Sequence, residues 1–447
     1  MTATAKGEPR VRIVIVNRDG GNLLLDCLRS VEHLDWPAEQ LEIVVVDNGS
    51  SDGSPDRVQH EHPETKVIGA GRNLGYAAGN NLALSDLGEA DFVALLNNDT
   101  VVDPGWLRPL VRSLEADEGL GASCPKILFA QSFAEVAIEV ASAQGAPKPN
   151  RVHITAVEVD RADRWRDAQF VEGFEDGNGV AGGRSPGIQG NALLRVPVEE
   201  DGRRSVVRLR LQADSTARLV VKAAKVISLD LGTTPVWVEA ELPQHGVDVV
   251  NNAGSALVRG GFGADRGFLE VDAGQYDQPA DVFAWCGCSV LLRREYLEDV
   301  GLFDPALFLY YEDFDLAWRG RARGWRYAYI PDSVVRHVHA ASSVQGSALF
   351  EHFVERNRLV VHVKNAPWPY AVRTVLGSLR RTAREARCEL AEPLLHGKRP
   401  LWTSVGRRSR AFTGFLILLP RALRERQRLR RVQRVPDSEL MAWLTHG

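Results

Sequence analysis

The sequence predicts an α/β fold: a sheet flanked by helices, with an inserted β-rich, sandwich-like domain and a C-terminal helical region. Three observations predict it. From residue 10 to about 130, short apolar strands alternate with amphipathic helical segments. From about 133 to 248 the apolar period becomes two. The α/β pattern then returns and gives way, after about 347, to Arg-rich helical sequence. The expected divisions are therefore 1–132, 133–248, 249–346 and 347–447.

In order, VRIVIV (11–16), EIVVVD (42–47), KVIGAG (66–71) and DFVALL (91–96) read as strands, most of them rich in Val, Ile or Leu. GNLLLDCLRSVEHL (21–34) and AAGNNLALSDLG (77–88) carry helical spacing between them. Strands apolar on both faces, alternating with helices, belong to a parallel sheet covered on both sides. Ligands of such sheets bind at the carboxyl ends of the strands. In the middle, VHITAVEV, VVRLRLQ, RLVVKAAKVISLDL and VWVEAEL alternate as half-buried strands do, which suggests a sandwich or barrel. A polar, glycine-rich stretch, 172–191, lies between the first two.

The chain has 447 residues, 44% hydrophobic and 25% charged, enough for several domains with cores of their own. That composition argues against a collagen, a disulfide scaffold or a mostly disordered chain. Five scattered cysteines suit a reducing compartment, and Cys286 and Cys288 read as core thiols more readily than as a metal pair. The opening MTATAKGEPR has no apolar signal core, and the apolar run in AFTGFLILLP is far below the ~20 residues of a membrane span. A soluble cytoplasmic protein is the expectation. The net charge of −4 hides an asymmetry: residues 371–435 hold 17 Lys/Arg against 4 Glu, a net +13, leaving −17 elsewhere. Basic and apolar together fit either a helix lying peripherally on the inner face of an anionic membrane or a solvated tail packed on the body. Nucleic acid is not expected, since no recognised binding module accompanies the charge.

Chemistry-bearing residues gather at the predicted strand ends. Asp47 closes the second strand in VVVDNGSSDGS, where a carboxylate can accept from a base or ribose, or simply form an Asx-turn. GRNLGYAAGNN (71–81) offers the amides of Asn73 and Asn81 among glycines, without the spacing of a dinucleotide fingerprint. LLNNDT (95–100) ends the fourth strand with Asn97 and Asp99, and an exposed carboxylate there suits a hard divalent ion bridging to phosphates. Glu312, Asp313 and Asp315 open a helix, where they serve either the macrodipole or, from a cleft, a hydroxyl proton. His337 and His339 share one face after Val334 and Val335, as a metal ligand or as structural histidines.

Taken in order, VDNGSSDGS, GRNLGYAAGNN, NND, FAWCGCSVLLRREYLEDVGLFDPALFLYYEDFDLAWR and VRHVHAASS resemble family 2 glycosyltransferases of the GT-A fold, a Rossmann-like mixed sheet, and especially the bacterial rhamnosyltransferase-like branch. The resemblance covers roughly 10–130 and 249–345. It implies metal-dependent transfer of a sugar, rhamnose by branch, from a nucleotide diphosphate donor with inversion. The acceptor it implies is a cell-envelope glycan or its lipid-linked precursor. By the resemblance, Asp47 holds base or ribose, and Asn73, Asn81 and Asn97 line the donor pocket. Asp99 binds Mg²⁺ or Mn²⁺ at the diphosphate, Asp313 is the general base, and Glu312 helps hold the acceptor. His337 completes the metal site, with His339 as the alternative. One departure is Asn97 where the D-x-D-like motif begins, which removes an anionic ligand. The other is the β-rich insertion, which the core fold does not need. A non-catalytic glycan- or nucleotide-binding protein on the same scaffold is the alternative reading. Oligomeric state is not legible.

Overall fold

The structure, a computed structural model, describes residues 7–141, 151–174, 179–180, 186–199, 202–338, 347–396, 399–400 and 402–445. His339 and part of the glycine-rich stretch 172–191 lie outside the described residues.

The body begins with β1 (Val11–Asn17), α1 (Gly21–Glu32), β2 (Leu41–Asp47), α2 (Ser54–Glu61), β3 (Lys66–Gly69) and α3 (Gly75–Leu84). It continues with β4 (Phe92–Asn97), β5 (Thr100–Val102), α4 (Leu107–Ala116) and β6 (Leu120–Phe129). β1 pairs in parallel with both β2 and β4, and β2 with β3. Beyond the insertion the sheet resumes with Ser289–Arg293, antiparallel to β4 and β6, and with Arg326–His337, parallel to β6 and antiparallel to β5. The resulting order is Ala280–Asp281, Arg326–His337, β6, Ser289–Arg293, β4, β1, β2, β3. The sheet is mixed, as expected.

The unbroken apolar runs follow from burial on both faces. Ile13 and Ile15 of β1 belong to a core with α1 and α4, while Val14 belongs to the opposite core with Val44, Val46, Ala77, Leu316 and Val361. The second core brings in α6 (Glu312–Arg323) and α7 (Ala348–Asn365), reached by way of α5 (Arg294–Val300).

The insertion has a core of its own, with buried residues running from Ala134 to Leu242. Its main strands follow one antiparallel path: Val226–Leu231, Ala217–Lys222, Ser132–Ala141, Gly187–Val198, Val152–Val159, Val206–Ala213 and Val236–Glu241. The path bends back on itself. The Ala224 N–H donates to the Glu241 carbonyl at 3.0 Å, and Lys225 pairs with the Glu241 carboxylate at 2.8 Å. The architecture is thus one curled sheet approaching a barrel, in place of the two-sheet sandwich. Entering and leaving chains are clasped together, Phe133 and Val247 exchanging hydrogen bonds of 2.9 and 2.8 Å.

After α7 come α8 (Trp368–Ala386), a π-helical turn over Arg387–Ala391, α9 (Glu392–Leu395) and α10 (Thr403–Val432). α7 is nearly all buried from Asn357 onward. α10 lays Ala411, Phe415 and Ala422 against the body but leaves Leu416 and Ile417 exposed. No described helix is long and apolar enough to cross a membrane. Leu444 and Thr445 finally return to pair in parallel with Leu257 and Val258 of Ser255–Val258, whose other neighbour is Phe262–Asp265.

Candidate active site

At the carboxyl ends of β1, β2 and β4 three loops meet. The Asp47 carboxylate caps its own turn, its Oδ1 accepting from the Ser50 N–H at 3.0 Å. Asn48, not singled out from the sequence, ties this loop to the next. Its Oδ1 accepts from the Leu74 N–H at 2.8 Å, and its Nδ2 donates to Asn73 Oδ1 and to the Gly75 carbonyl, each at 3.2 Å. Two glycines make the junction possible. Gly49 sits at φ +77°, where a Cβ would lie 2.8 Å from the Arg72 backbone; Gly75, at φ +80°, would place one 2.4 Å from the Phe308 carbonyl. Asn73 stands exposed at this junction. Asn81 does not join it: its Nδ2 donates to the Phe303 carbonyl at 2.9 Å and its Oδ1 accepts from the Phe303 N–H at 3.1 Å. Its amide is committed to bracing the Phe303 loop.

β4 delivers Asn97 and Asp99. The Asn97 N–H donates to the Cys288 carbonyl at 2.9 Å, which joins the strand end to the turn before Ser289–Arg293. Asp99 is buried, and its Oδ1 has no hydrogen-bond partner among the described residues. His337 reaches it because β5 and Arg326–His337 pair Thr100 with His337. Its Nε2 lies 3.3 Å from Asp99 Oδ1, and its Nδ1 lies 3.3 Å from Asn251 Oδ1. His337 thus sets one ring nitrogen beside the Asp99 carboxylate and the other beside the Asn251 side chain. A buried oxygen and nitrogen so placed fit a divalent cation. Among the described residues no three His, Cys, Asp or Glu side chains come together to hold a metal. A cation at Asp99 and His337 would therefore need further oxygen ligands beyond these side chains.

Asp313 faces the same turn from α6. Its Oδ2 accepts from the Gly287 N–H at 2.9 Å and its Oδ1 from the Phe314 N–H at 2.7 Å. The Tyr76 hydroxyl of α3 donates to the Gly287 carbonyl, closing the corner. Burial raises the Asp313 pKa to about 6 despite the two lowering amide bonds, and the nearby Asp265 charge adds to the rise. Glu312 is buried with Oε2 unpartnered; burial first, then Asp313, pushes its pKa well up. The third acid of this turn is structural. Asp315 is fully buried and bonded to Arg319 at 3.0 Å, Lys364 at 2.9 Å and Asn365 at 2.9 Å.

The loop entering α6 is strained, with Phe308, Tyr310 and Tyr311 at φ +64°, +68° and +70°. Asn357 of α7 clamps it, its Nδ2 donating to the carbonyls of Leu307, Leu309 and Tyr310 at 2.8, 2.9 and 2.7 Å. The helical region thereby sets the position of Asp313.

Asp265 is the residue that sequence reasoning missed. Asn252 Nδ2 and Ser255 Oγ donate to its Oδ1 at 2.6 and 3.4 Å, and no described partner takes Oδ2. Its strand is joined to the α6 loop through the Gly263 N–H, which donates to the Tyr311 hydroxyl at 3.2 Å. Burial of its inner side pushes its pKa up, an effect moderated by the residue's exposure to solvent, by those hydrogen bonds and by His337. GFGADRG reads as a turn, and no spacing in it signals a site. Cys286 and Cys288 stay thiols, since burial raises both pKa values well above the ordinary value, and all five cysteines are free.

Residues 11–134 match the model of glycosyl transferase family 2, and residues 266–360 that of the glycosyltransferase-like family 2. The chain is 29% identical over 97 residues to the N-acetylglucosaminyl-diphospho-decaprenol L-rhamnosyltransferase of Mycobacterium tuberculosis, a match covering 20% of this chain and 32% of that one. It is 30% identical over 129 residues to the uncharacterized protein y4gI of Sinorhizobium fredii, covering 28% of this chain and 14% of the relative. Among solved structures, GalNAc-T7 with UDP, GalNAc and Mn²⁺ aligns at 15% identity over 80% of this chain and 48% of its own, with TM-score 0.42. The Pyrobaculum calidifontis mannosyltransferase PcManGT with GDP-Man and Mn²⁺ aligns at 15% identity over 95% and 86%, with TM-score 0.39. The two family matches flank the insertion and together supply the strands and loops that carry Asp47, Asp99, Asp313 and His337. Through these two segments of its α/β body, 11–134 and 266–360, the chain carries the sequence of glycosyltransferase family 2.

Proposed function

We propose that this chain transfers a sugar from a nucleotide diphosphate donor to an acceptor hydroxyl, in one displacement with inversion. The observation that carries the reading is the shared corner: Asp313 is bonded to Gly287, one residue from the Cys288 carbonyl that holds the end of the strand leading to Asp99. A proton acceptor and a cation-binding pair thus border one turn. Asp313, with a pKa near neutrality, takes the acceptor hydroxyl proton as that oxygen bonds to the anomeric carbon. The bond from the anomeric carbon to the diphosphate oxygen breaks, and the nucleoside diphosphate leaves. Asp99 and His337 would hold Mg²⁺ or Mn²⁺, whose positive charge offsets that building on the leaving diphosphate. Asp47, Asn73 and Asn97 border the donor side; Glu312 and Asp265 border the acceptor side. By likeness to the mycobacterial rhamnosyltransferase the donor is a nucleotide-linked rhamnose and the acceptor a lipid-linked envelope glycan.

The test is nucleoside diphosphate release from a panel of nucleotide sugars with Mg²⁺, Mn²⁺ or EDTA, alongside donor binding by calorimetry. One donor should bind and turn over with metal, and Asp99→Ala should lose both the metal dependence and the release. A folded chain that binds no nucleotide sugar ends the proposal.

A further inference from the structure

We infer that the outer face of α8 is a docking surface for an anionic phospholipid bilayer. Trp368, Val372, Leu376 and Leu379 recur at intervals of four, four and three, so they form one stripe, and each is 42% to 50% exposed. The side of the same helix that packs on the body is a different one, carrying the buried Ala371, Thr374 and Ser378. Arg373, Arg380 and Arg384 run beside the stripe, exposed and without a carboxylate partner within ion-pair distance among the described residues. Other arginines of this region are spoken for: Arg381 by Glu355, Arg407 by Glu351, Arg408 by Glu385 and Arg421 by Asp304. The helical path continues to Leu394 and Leu395, 62% and 82% exposed. At the other end of the stripe, an open groove between α8 and α10 is lined by Trp368, Leu423, Arg426, Gln427, Arg430 and Arg431.

An apolar row edged by unpaired guanidiniums matches a surface with hydrocarbon below and phosphates at its rim. The charge balance selects that occupant. The stripe bears no acid to receive the same face of a second copy, so face-to-face self-docking would bring like charges together. The remainder of the chain is acidic, net −17 outside 371–435, so an anionic plane repels the body and attracts the basic region that holds the stripe. Trp368, half exposed at the start of the stripe, suits the interfacial depth favoured by indole rings. The inference goes beyond sugar transfer and does not depend on it.

The experiment is co-sedimentation of the full chain with vesicles of phosphatidylglycerol and phosphatidylcholine, and with phosphatidylcholine alone. The expected result is salt-sensitive binding to the anionic vesicles only. Arg373→Gln/Arg380→Gln/Arg384→Gln should weaken it on the order of 100-fold, and Leu376→Ser/Leu379→Ser by at least about tenfold. Both variants change exposed side chains, and unaltered thermal unfolding verifies that they fold. A parent chain that stays in the supernatant with anionic vesicles at low salt overturns the inference. So do variants that bind as the parent does, or a stripe-dependent dimer in analytical sedimentation without vesicle binding.

Discussion

At the scale of single residues, the two acids of the ED pair differ in what they can do. Asp313 retains amide donors on both oxygens, whereas Glu312 is sealed with one oxygen orphaned. If Asp313 is the base, turnover should fall below pH of about 6, with an acid limb of unit slope absent from donor binding. Asp313→Asn should lower turnover ~10²–10⁴-fold while leaving the donor dissociation constant unchanged by calorimetry. The same shift has a stability consequence. The folded pKa of about 6 exceeds the ordinary 3.8, so the native state holds the extra proton. Its contribution is complete below about 3.8 and is lost as pH rises through about 6. Thermal midpoints measured from pH 4 to 8 should therefore decline for the parent relative to Asp313→Asn. Much of this corner was legible in sequence, because Asp47, Asp99 and Asp313 sit at strand ends and a helix start that periodicity locates. Asp265 was not legible, since its setting depends on Asn252, Ser255 and a loop about 50 residues downstream. The resemblance places Asn81 in the donor pocket; in the fold its amide instead holds Phe303, more than 200 residues away, a pairing with no local sign.

At the scale of elements, the loop before α6 is held in an unfavourable conformation by a neighbour, and the neighbour is α7. Replacing Asn357 by Leu leaves the carbonyls of Leu307, Leu309 and Tyr310 without their buried donor. The cost should be about 2–4 kcal/mol in chemical denaturation. Turnover should fall, because the loop leads directly into α6 and Asp313, and donor affinity should fall to a lesser degree, because the Phe308 carbonyl also abuts Gly75 in the Asn73 loop. The insertion behaves as a separate element. Its core draws on residues 134–242, and its two ends meet at Phe133 and Val247. A fragment spanning 131–248 should unfold cooperatively on its own in calorimetry; a fragment with no transition would show that the body holds it together. Period-two alternation marks Val152–Val159, Val206–Ala213, Ala217–Lys222, Val226–Leu231 and Val236–Glu241, but not Ser132–Ala141 or Gly187–Val198. It could not show that they form a single curled path, because closure depends on Ala224, Lys225 and Glu241 meeting across the insertion.

At the scale of the whole molecule, the chain builds one α/β body from two distant segments and then binds it with its own helices. The Arg-rich stretch is accordingly two things at once. Arg421, from the surface, and the buried Lys364 share the buried Asp304, while Arg373, Arg380 and Arg384 stay exposed without such a partner among the described residues. A net charge read from sequence cannot separate the two populations, since pairing is decided by packing. The last described residues add a further tie. Leu444 and Thr445 pair with Leu257 and Val258, and Trp443 packs on Phe283 and under Arg321. The strand so gripped neighbours the one that ends in Asp265. A ribosome emits this chain in order, and a partner made some 190 residues late cannot act early. Ser255–Val258 must therefore wait, with one edge unpaired, until the chain has been made through Thr445. A chain stopped before Trp443 would hold this strand through Phe262–Asp265 and the bridge to Ala284, without the partner that closes its other edge.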